Sequence, residues 1–453
     1  MEKKIRKDMI TGKILSQLLL FALPLLGSSL VQQLYNTADL LFVGNFAGKT
    51  AAAAVGSSGL IFTCLIGLFT GISVGVGVVI THAWGAGNKE EAFDAAHTAI
   101  IIGVIGSLLL MIAGLLFAEK LLIFLQTPKE ILEEASIYVR IYFLSMIPMV
   151  IYNMGAGILR ACGNSKIPFY ILIGGGITNV LADTLLIAVL NYGVVGAAAA
   201  TSISQTVSAV FMLYYLMSRR SSIPLSWKKM HIDLGILKKI LKYGLPAGVQ
   251  AIVVTLSNVV VQYYINGFGE DAVAAYAAYF KIENLIYLPI MACGQAVTTF
   301  VGQNYGAGKY DRIKKGTAQG TFFSCGLTIV IAIIVLLIPE AVVRLFIQDH
   351  TVITYGVSIL MTTFPFYWLY AVLEVTGGAL RGMGCSNTSM LVVMLGLCGL
   401  RILLLFGISR MNMTFTSVAK VYPITWAVTS ICFLVIFWRM VIHKPLTEKS
   451  KMI

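Results

Sequence analysis

Long apolar segments alternate with short polar ones along all 453 residues of the chain. Each apolar segment has the length, about 20 residues, that a helix needs to cross the hydrocarbon core of a bilayer. Charged residues make up only 12% of the chain and gather between these segments. The pattern therefore predicts an all-α polytopic membrane protein with twelve transmembrane helices. We place them at residues 15–43, 51–83, 95–117, 135–156, 167–190, 195–217, 237–265, 272–304, 317–338, 353–378, 388–408 and 415–438.

The two halves of the chain are related by an internal duplication. Residues 14–56 align with residues 236–278 at a constant offset of 222, and 11 of the 43 aligned positions are identical. Pro24 falls on Pro246, about ten residues into the first helix of each half, where a proline permits a kink. The register continues at an offset of 221 through a Gly-Ala-Gly turn and a Leu-Arg-x-x-Gly turn, at residues 85–87 and 159–163.

Six predicted spans fall in each half. Because an even number of spans returns the chain to its starting side, we expect two parallel-topology six-helix bundles related by a pseudo-two-fold axis along the membrane normal. The longest polar stretch, residues 218–239, is assigned as a cytoplasmic linker. It separates an N-terminal lobe, residues 1–217, from a C-terminal lobe, residues 240–453. Such repeats are typical of transporters, since two related bundles can rock about a shared site.

The basic residues predict the orientation. Of the 33 Lys and Arg, 24 lie on the side of the N-terminus, counting those at the inner end of the seventh span; five lie in the opposite loops, and the other four lie within proposed spans. The positive-inside rule then puts both termini in the cytoplasm, in a multi-pass protein of the plasma (cytoplasmic) membrane. The net charge of +13 is mostly this topology signal, so we expect membrane lipids as partners and no nucleic acid.

Enzymatic and metal chemistry have no visible place in the sequence. The seven cysteines are scattered through spans and inner loops, and their spacing indicates neither a disulfide framework nor a zinc site. The five histidines lie at predicted helix ends or in loops, without metal-ligand spacing or a nucleophile partner. We therefore expect no enzyme activity, no metal site and no cofactor.

Two acids, Asp39 and Asp183, lie inside predicted spans of the N-terminal half. An ionised side chain at mid-membrane costs about 2.5–3.5 kcal/mol, so such acids need a reason. Gln32, Tyr35 and Asn36 precede Asp39 by seven, four and three positions, so they share one helix face with it. A polar stripe therefore runs along the first helix.

On the fifth helix Asn179 lies one turn before Asp183, and Thr201 lies early in the sixth, so these side chains can converge with Asp39. In the second half, the positions that match Asp39, Asn179, Asp183 and Thr201 hold Val261, Leu400, Leu404 and Tyr422. The scaffold is repeated but these polar residues are not, whereas a residue needed by the fold is expected in both halves. We therefore predict a cation- or proton-binding site formed by Asp39, Asn179, Asp183 and Thr201. Buried structural hydrogen bonding is the alternative.

The coupling ion is left open between H+ and Na+. Two carboxylates in a poorly hydrated pocket cannot both ionise cheaply, so one of them can accept a proton. With the oxygens of Asn179 and Thr201, the same carboxylates can instead coordinate sodium, because hard cations take oxygen ligands.

The C-terminal half carries charged residues of its own within predicted spans. Lys281, Arg401 and Lys420 map to the outer parts of their spans, where snorkelling or pairing with Glu283 accounts for them. Glu374 is predicted to face a bundle interior or a cavity. We treat Glu283 and Glu374 as candidates for a C-lobe role in coupling or substrate binding.

The chain is rich in methionine, phenylalanine and tyrosine, with 18, 23 and 20 residues. Most of these fill the core, but a subset can line an adaptable cavity, because Met and aromatic faces accept apolar and cationic guests. The candidates are Tyr138, Tyr142, Met146, Met149, Met154, Met212 and Met291.

These features resemble the multidrug and toxic compound extrusion (MATE) family, in particular its bacterial DinF-like branch. The resemblance covers nearly the whole chain, and it includes the two six-helix halves and the two repeated turns. The residues that carry it are Pro24, Gln32, Tyr35, Asn36, Asp39, Asn179, Asp183 and Thr201.

The resemblance implies that Asp39, Asn179, Asp183 and Thr201 bind the coupling H+ or Na+, and that a central cleft carries cationic amphipathic drugs. It also implies drug contacts from Gln32 and Tyr35. The expected substrate-binding set is Gln32, Tyr35, Asn36, Tyr138, Tyr142, Met149, Asn153 and Met212. Other branches use an acid in the seventh helix; residues 245–265 contain none, which favours the N-lobe site.

The resulting hypothesis is a monomeric H+- or Na+-coupled antiporter that exports cationic amphipathic drugs and toxic organic compounds by alternating access. Its expected small-molecule partners are organic cations. The alternative is a flippase for lipid-linked precursors on a related fold, which predicts a strongly basic cavity for phosphates. Apart from the inner end of the seventh span, only four basic residues lie in proposed spans. A membrane enzyme or a receptor predicts a catalytic constellation or a sizeable soluble domain, and the sequence contains neither.

Overall fold

The computed structural model describes residues 9–411 and 413–443, and every regular element in this part of the chain is a helix. Twelve elements have the length and composition to cross a membrane, and we label them α1 to α12. Their bounds are α1 Ile14–Phe46, α2 Lys49–Gly85, α3 Lys89–Phe124, α4 Lys129–Leu144 with Met146–Ala161, α5 Lys166–Val189, α6 Gly193–Met217, α7 Leu234–Asn266, α8 Glu270–Gly306, α9 Tyr310–Leu337, α10 His350–Gly382, α11 Ser386–Ser409 and α12 Phe415–Val441. The all-α polytopic fold with twelve spans is confirmed.

Helix α4 differs from the single span predicted at residues 135–156. It consists of two helices that are bent by 47° at Ser145. Pro148 lacks the backbone N–H that would bond the carbonyl of Leu144, and the Ser145 hydroxyl donates to the carbonyl of Tyr142 at 2.6 Å. Both effects weaken the helical ladder at one point, and they account for the bend.

Capping side chains determine where several helices begin. Asn88 accepts a hydrogen bond from the amide of Glu91 at the start of α3, and Asp349 accepts from two amides of the first turn of α10. Thr414 and Ser417 form a reciprocal capping box at the start of α12. Polar residues at the span boundaries thus determine where these helices begin, which hydropathy alone does not predict to the residue.

The glycines of the two repeated turns adopt left-handed backbone conformations. Gly87 and Gly308 have φ of 77° and 68°, and Gly163 and Gly384 have φ of 84° and 83°. In each turn the glycine amide bonds a carbonyl three residues back, and the next amide bonds one five residues back. This is the Schellman pattern, which favours glycine because it lacks a Cβ atom. The repeat therefore preserves helix ends.

Gly87→Ala is expected to lower the free energy of unfolding by about 1 kcal/mol, since the left-handed conformation strains residues with a Cβ atom. A Cβ atom at Gly87 would meet no described residue within 4 Å, so the substitution isolates backbone strain. Gly77→Ala is the matched control, because a Cβ atom at this helical glycine would likewise meet no described residue within 4 Å. Thermal unfolding in detergent measures both variants, and equal melting temperatures would contradict the assignment.

The described residues group into two compact units. Unit 1 contains Leu23–Gly244, and unit 2 contains Met9–Ala22 together with the chain from Leu245 onward. Both boundaries fall inside helices, so the first turns of α1 belong to unit 2 and the first turns of α7 belong to unit 1. Pro24 and Pro246 follow these boundaries within two residues. Each proline lies where its helix passes from one unit to the other.

The predicted lobes, residues 1–217 and 240–453, follow the order of the repeat and stay a prediction. The predicted cytoplasmic position of the termini also stays a prediction. The basic residues near the two termini, on which this prediction partly rests, lie mostly in residues 1–8 and 444–453, which are outside the described residues.

Repeat-related residues hold the start of each first helix. In unit 2, Arg312 donates to the Gln17 side chain at 3.1 Å and to the carbonyl of Gly12 at 3.0 Å. In unit 1 the position that matches Arg312 is Glu91, which accepts a hydrogen bond from Lys239 at 2.6 Å. Lys239 in turn matches Gln17. The two contacts are equivalent in place but not in charge.

Glycines allow close helix crossings within each unit. A Cβ atom at Gly75 of α2 would meet the backbone of Ile240 and Gly244 in α7, and one at Gly378 of α10 would meet the carbonyl of Gly294 in α8. Close approach of backbones stabilises helix pairs where lipid removes the usual hydrophobic drive. These crossings bring α2 against α7 in unit 1 and α8 against α10 in unit 2.

Candidate functional site

The four residues predicted to bind a cation meet inside unit 1. The Thr201 hydroxyl of α6 donates to the Asp39 carboxylate of α1 at 3.4 Å. The side chains of Asn179 and Asp183, from α5, lie beside the same carboxylate. Three helices therefore each contribute to one cluster, which we call the acid cluster.

Local helix geometry aims these side chains at one another. Asn179 and Asp183 are one turn apart, so both leave α5 on the same face. The α-helical turns of α5 end at Asp183, and a wider π-helical segment, Thr184–Val189, follows at once. In α1 a π-helical segment, Val43–Ala47, begins soon after Asp39. Such widened turns occur frequently at functional sites, because they shift the side-chain register of the helix.

The oxygens of the acid cluster are buried and short of donors. Asn179 and Asp183 have no exposed surface. Within the described residues, one oxygen of Asp39, both oxygens of Asp183 and both polar side-chain atoms of Asn179 have no hydrogen-bond partner. Leaving such groups unsatisfied costs about 1–3 kcal/mol each. A shared proton or a bound cation relieves this cost at the oxygens. The four side chains therefore fit either a proton or a cation.

An aromatic group adjoins the acid cluster. The rings of Phe62 and Tyr142 stack with centroids 3.7 Å apart, and Tyr138 meets Phe62 edge-on at 5.8 Å. The Tyr142 hydroxyl lies 4.0 Å from the Met149 sulfur. Both tyrosines are near enough to Asp39 to interact with it electrostatically. The structure thus brings three predicted substrate residues together beside the acids.

Other predicted substrate residues are placed differently. Tyr35 is buried, and Gln32 lies within hydrogen-bond distance of its hydroxyl at 3.4 Å. Asn36 is exposed, and the Asn153 amide donates to the carbonyl of Met149 at 2.9 Å. Met212 has no exposed surface and packs where Gly155 leaves room, and its place in the substrate-binding set stays a prediction.

Sequence reasoning missed two residues of this region. Phe62 stacks on Tyr142, and Gln205 lies beside Tyr35. Phe62 carries no local signal, because one apolar residue in an apolar span looks like any other. Gln205 follows Thr201 by one turn, so its place on the same face of α6 was available as a signal.

In unit 2, Glu374 forms an ion pair with Arg381. The distance from the guanidinium to the carboxylate is 2.5 Å, and the side chains are 7% and 11% exposed. The two residues lie two turns apart on α10, so the pair closes within one helix. Glu374 therefore has a fixed partner, and its suggested role in coupling stays a prediction.

Removing one member of this pair is expected to cost about 3–5 kcal/mol, because the other charge is left buried and unpaired. Glu374→Ala and Arg381→Ala should each lower the melting temperature, and the double variant should lose much less than the sum. Thermal unfolding of the three variants measures the coupling. Additive losses would show that the pair does not act as a unit.

Arg401 corrects the expectation of snorkelling. It is only 2% exposed. Its guanidinium donates to the Asn258 side chain at 2.8 Å and to the Ser257 hydroxyl at 3.4 Å, and it lies 4.6 Å from the ring centre of Tyr422. The expected direct pairing with Glu283 is replaced by these contacts, although Arg401 still acts electrostatically on Glu283. A buried charge was not foreseen at this position.

A comparison with known families decides the identity of the chain. The family model for MatE matches residues 24–185 and 246–406, one segment in each half of the repeat. The chain belongs to the MatE family. The predicted MATE membership is thus confirmed, whereas the DinF-like branch stays a prediction.

Curated relatives of this MATE protein match over most of their length. The probable multidrug resistance protein YoeA of Bacillus subtilis (strain 168) is 27% identical, over 90% of each chain. The probable multidrug resistance protein NorM of Thermotoga maritima (strain ATCC 43589 / DSM 3109 / JCM 10099 / NBRC 100826 / MSB8) is 26% identical, over 85% of this chain and 83% of its own.

Solved structures share the fold. A crystal structure of MATE in the bent conformation has a TM-score of 0.91 at 23% identity and covers 98% of each chain. A MOP superfamily transporter from Pyrococcus furiosus Vc1, for which a reverse polarity of the binding pocket suggests a different function, has a TM-score of 0.89 at 23% identity. MATE proteins are transporters rather than enzymes, so the chain is a multi-pass membrane transporter with small-molecule substrates. A lipid-precursor flippase is not favoured.

Proposed function

We propose that this MATE protein exports cationic amphipathic compounds in exchange for H+ or Na+, by alternating access. The observation that carries the proposal is the acid cluster, where buried carboxylate oxygens beside an aromatic group lack donors among the residues that the structure describes. The multidrug resistance relatives support the drug class by similarity. No cofactor is proposed beyond the coupling ion.

The acid cluster binds the coupling ion, and binding changes the forces on α1. Asp39 is the only member of the cluster on α1, and Asn179, Asp183 and Thr201 belong to α5 and α6. A proton or cation shared by Asp39 and Asp183 draws the two carboxylates together, and its loss lets them repel. Because Pro24 breaks one hydrogen bond of α1, this change in attraction is expected to alter the bend of the helix.

The aromatic group binds the organic cation. Phe62, Tyr138 and Tyr142 present ring faces that attract positive charge, and the flexible Met149 side chain adapts to guests of different shape. Drug and coupling ion are both cations beside one pair of carboxylates, so each lowers the affinity for the other. This reciprocity is the thermodynamic basis of exchange.

The test uses purified protein in liposomes loaded with a fluorescent organic cation. A proton gradient and a sodium gradient are imposed in separate experiments. Efflux driven by one gradient and not by the other identifies the coupling ion and supports the exchange. No response to either gradient would contradict the antiport proposal, and movement of a lipid-linked precursor instead would favour the flippase.

We further propose a monomer in the plasma membrane with both termini in the cytoplasm. The basic residues between α6 and α7 support this orientation by the positive-inside rule. We expect a protease to cleave the linker, residues 218–239, in inside-out membrane vesicles but not in intact cells.

A further inference from the structure

Unit 2 contains a polar cluster at the place that the repeat makes equivalent to the acid cluster. Helices α7, α11 and α12 correspond to α1, α5 and α6 at offsets of 222 and 221. The acids Asp39 and Asp183 are replaced there by Val261 and Leu404. A positive charge, Arg401, is buried at this place instead.

Two neighbours of Arg401 lie at positions that the repeat relates to helices of the acid cluster. Asn258 and Tyr422 correspond to Asn36 and Thr201. The guanidinium bonds Asn258 at 2.8 Å and lies over the Tyr422 ring at 4.6 Å. It therefore lies among α7, α11 and α12, the repeat counterparts of the three helices that surround the predicted coupling ion in unit 1.

The charge of Arg401 is balanced from a fourth helix. Glu283 of α8 accepts a hydrogen bond from the Tyr367 hydroxyl, lies beside Tyr279 and is near enough to Arg401 to act on it electrostatically. The Arg401 Nε atom is buried and has no hydrogen-bond partner among the residues that the structure describes. The guanidinium is thus held by oxygens, a ring face and a nearby carboxylate, which are the groups that hold a free cation.

We propose that Arg401 is a tethered cation, which permanently fills the unit 2 counterpart of the coupling-ion site. The guanidinium is covalently attached to α11, so this site cannot release its cation as a free-ion site does. Exchange of the coupling ion is therefore confined to unit 1. The inference rests on the proposed function, because it takes the acid cluster of unit 1 as the exchangeable site.

The competing explanation is an arginine that only ties α11 to its neighbours. A purely structural arginine acts through its intact side chain. A cation site, in contrast, is expected to bind a small free cation after the arginine side chain has been truncated. The test therefore uses free guanidinium ion as the probe, with purified full-length protein in lipid nanodiscs. An Asp39→Asn background removes the response of unit 1.

Arg401→Ala is expected to lower the melting temperature, and guanidinium at millimolar concentration is expected to restore at least half of the loss. Adding Glu283→Gln should remove this rescue, because the balancing charge is gone. Arg140→Ala is the control: its guanidinium pairs with Glu119 at 3.6 Å on an exposed surface, so no rescue is expected. Absence of rescue, or rescue that survives Glu283→Gln, would overturn the proposal.

A second comparison covers the case in which the alanine variant does not fold. Arg401→Lys keeps a tethered positive charge, and Arg401→Met keeps much of the side-chain length without charge. The Lys variant is expected to be the more stable one, and equal melting temperatures would refute the tethered cation. Efflux by the wild-type protein, and its loss in Asp39→Asn, tests the proposed function separately, so either idea can fail while the other stands.

Discussion

Asp39→Asn is expected to lower gradient-driven efflux of an organic cation by about 100-fold while leaving the protein folded. The amide keeps the shape of the side chain but cannot carry the charge that a proton or sodium ion neutralises. Thr201 still has an oxygen to donate to, so the local packing survives. A loss of this size lies within the range of a coupling free energy of about 1–3 kcal/mol. Initial rates in liposomes under an imposed gradient measure it.

Two further variants sharpen this result. Asp271→Asn makes the same chemical change at an exposed position in the first turn of α8, and full activity is expected. Thr201→Val removes one oxygen while it keeps the side-chain shape, so a smaller loss of about tenfold is expected from one missing hydrogen bond of about 1.4 kcal/mol. Unimpaired coupled transport by Asp39→Asn would remove the acid cluster from the mechanism.

Asp183→Asn is expected to end coupled transport and to raise the free energy of unfolding by about 1–3 kcal/mol. In the wild-type protein the Asp183 carboxylate has no exposed surface, and both of its oxygens lack donors among the described residues. When neither a proton nor a cation is bound, the two carboxylates repel each other and the buried charge of Asp183 is poorly solvated, and a neutral amide removes both costs. Stability is thus expected to rise where function is lost, as is common at sites selected for activity.

The measurement is the melting temperature of purified protein with and without the coupling ion. A ligand that binds only the folded protein stabilises it in proportion to the logarithm of its concentration. The wild-type protein should therefore gain stability as the ion is added, and Asp183→Asn should not. If the variant is instead less stable than the wild type, Asp183 is a structural hydrogen-bonding residue, which was the alternative to a cation site.

Much of the fold was predictable because the membrane imposes a simple rule. Each span must satisfy its own backbone, so twelve apolar segments imply twelve helices. The acid cluster was predictable for a different reason: Asn179 and Asp183 share a helix face, and the repeat lacks their counterparts. Helical periodicity and internal comparison together were enough to select residues that the structure brings within reach of one another.

Other features depended on contacts that no local pattern encodes. The stack of Phe62 on Tyr142 joins residues 80 positions apart. The burial of Arg401 depends on Asn258 and Tyr422, which lie on two other helices. From the sequence alone, a charge near a predicted span end is interpreted as a surface anchor, because its buried partners are not known. The burial of such a residue is therefore hard to predict from sequence.

The sharing of α1 and α7 between the units has a consequence for biosynthesis. Met9–Ala22 leaves the ribosome long before the rest of unit 2, which begins only at Leu245. Unit 1 in turn is incomplete until Gly244 has been made, because the first turns of α7 belong to it. Met9–Ala22 must therefore wait for the rest of unit 2 through the synthesis of more than 200 residues, Leu23–Gly244. Cutting the gene at the linker would leave neither product with a whole unit, so two co-expressed halves should be active only if they exchange these helix ends.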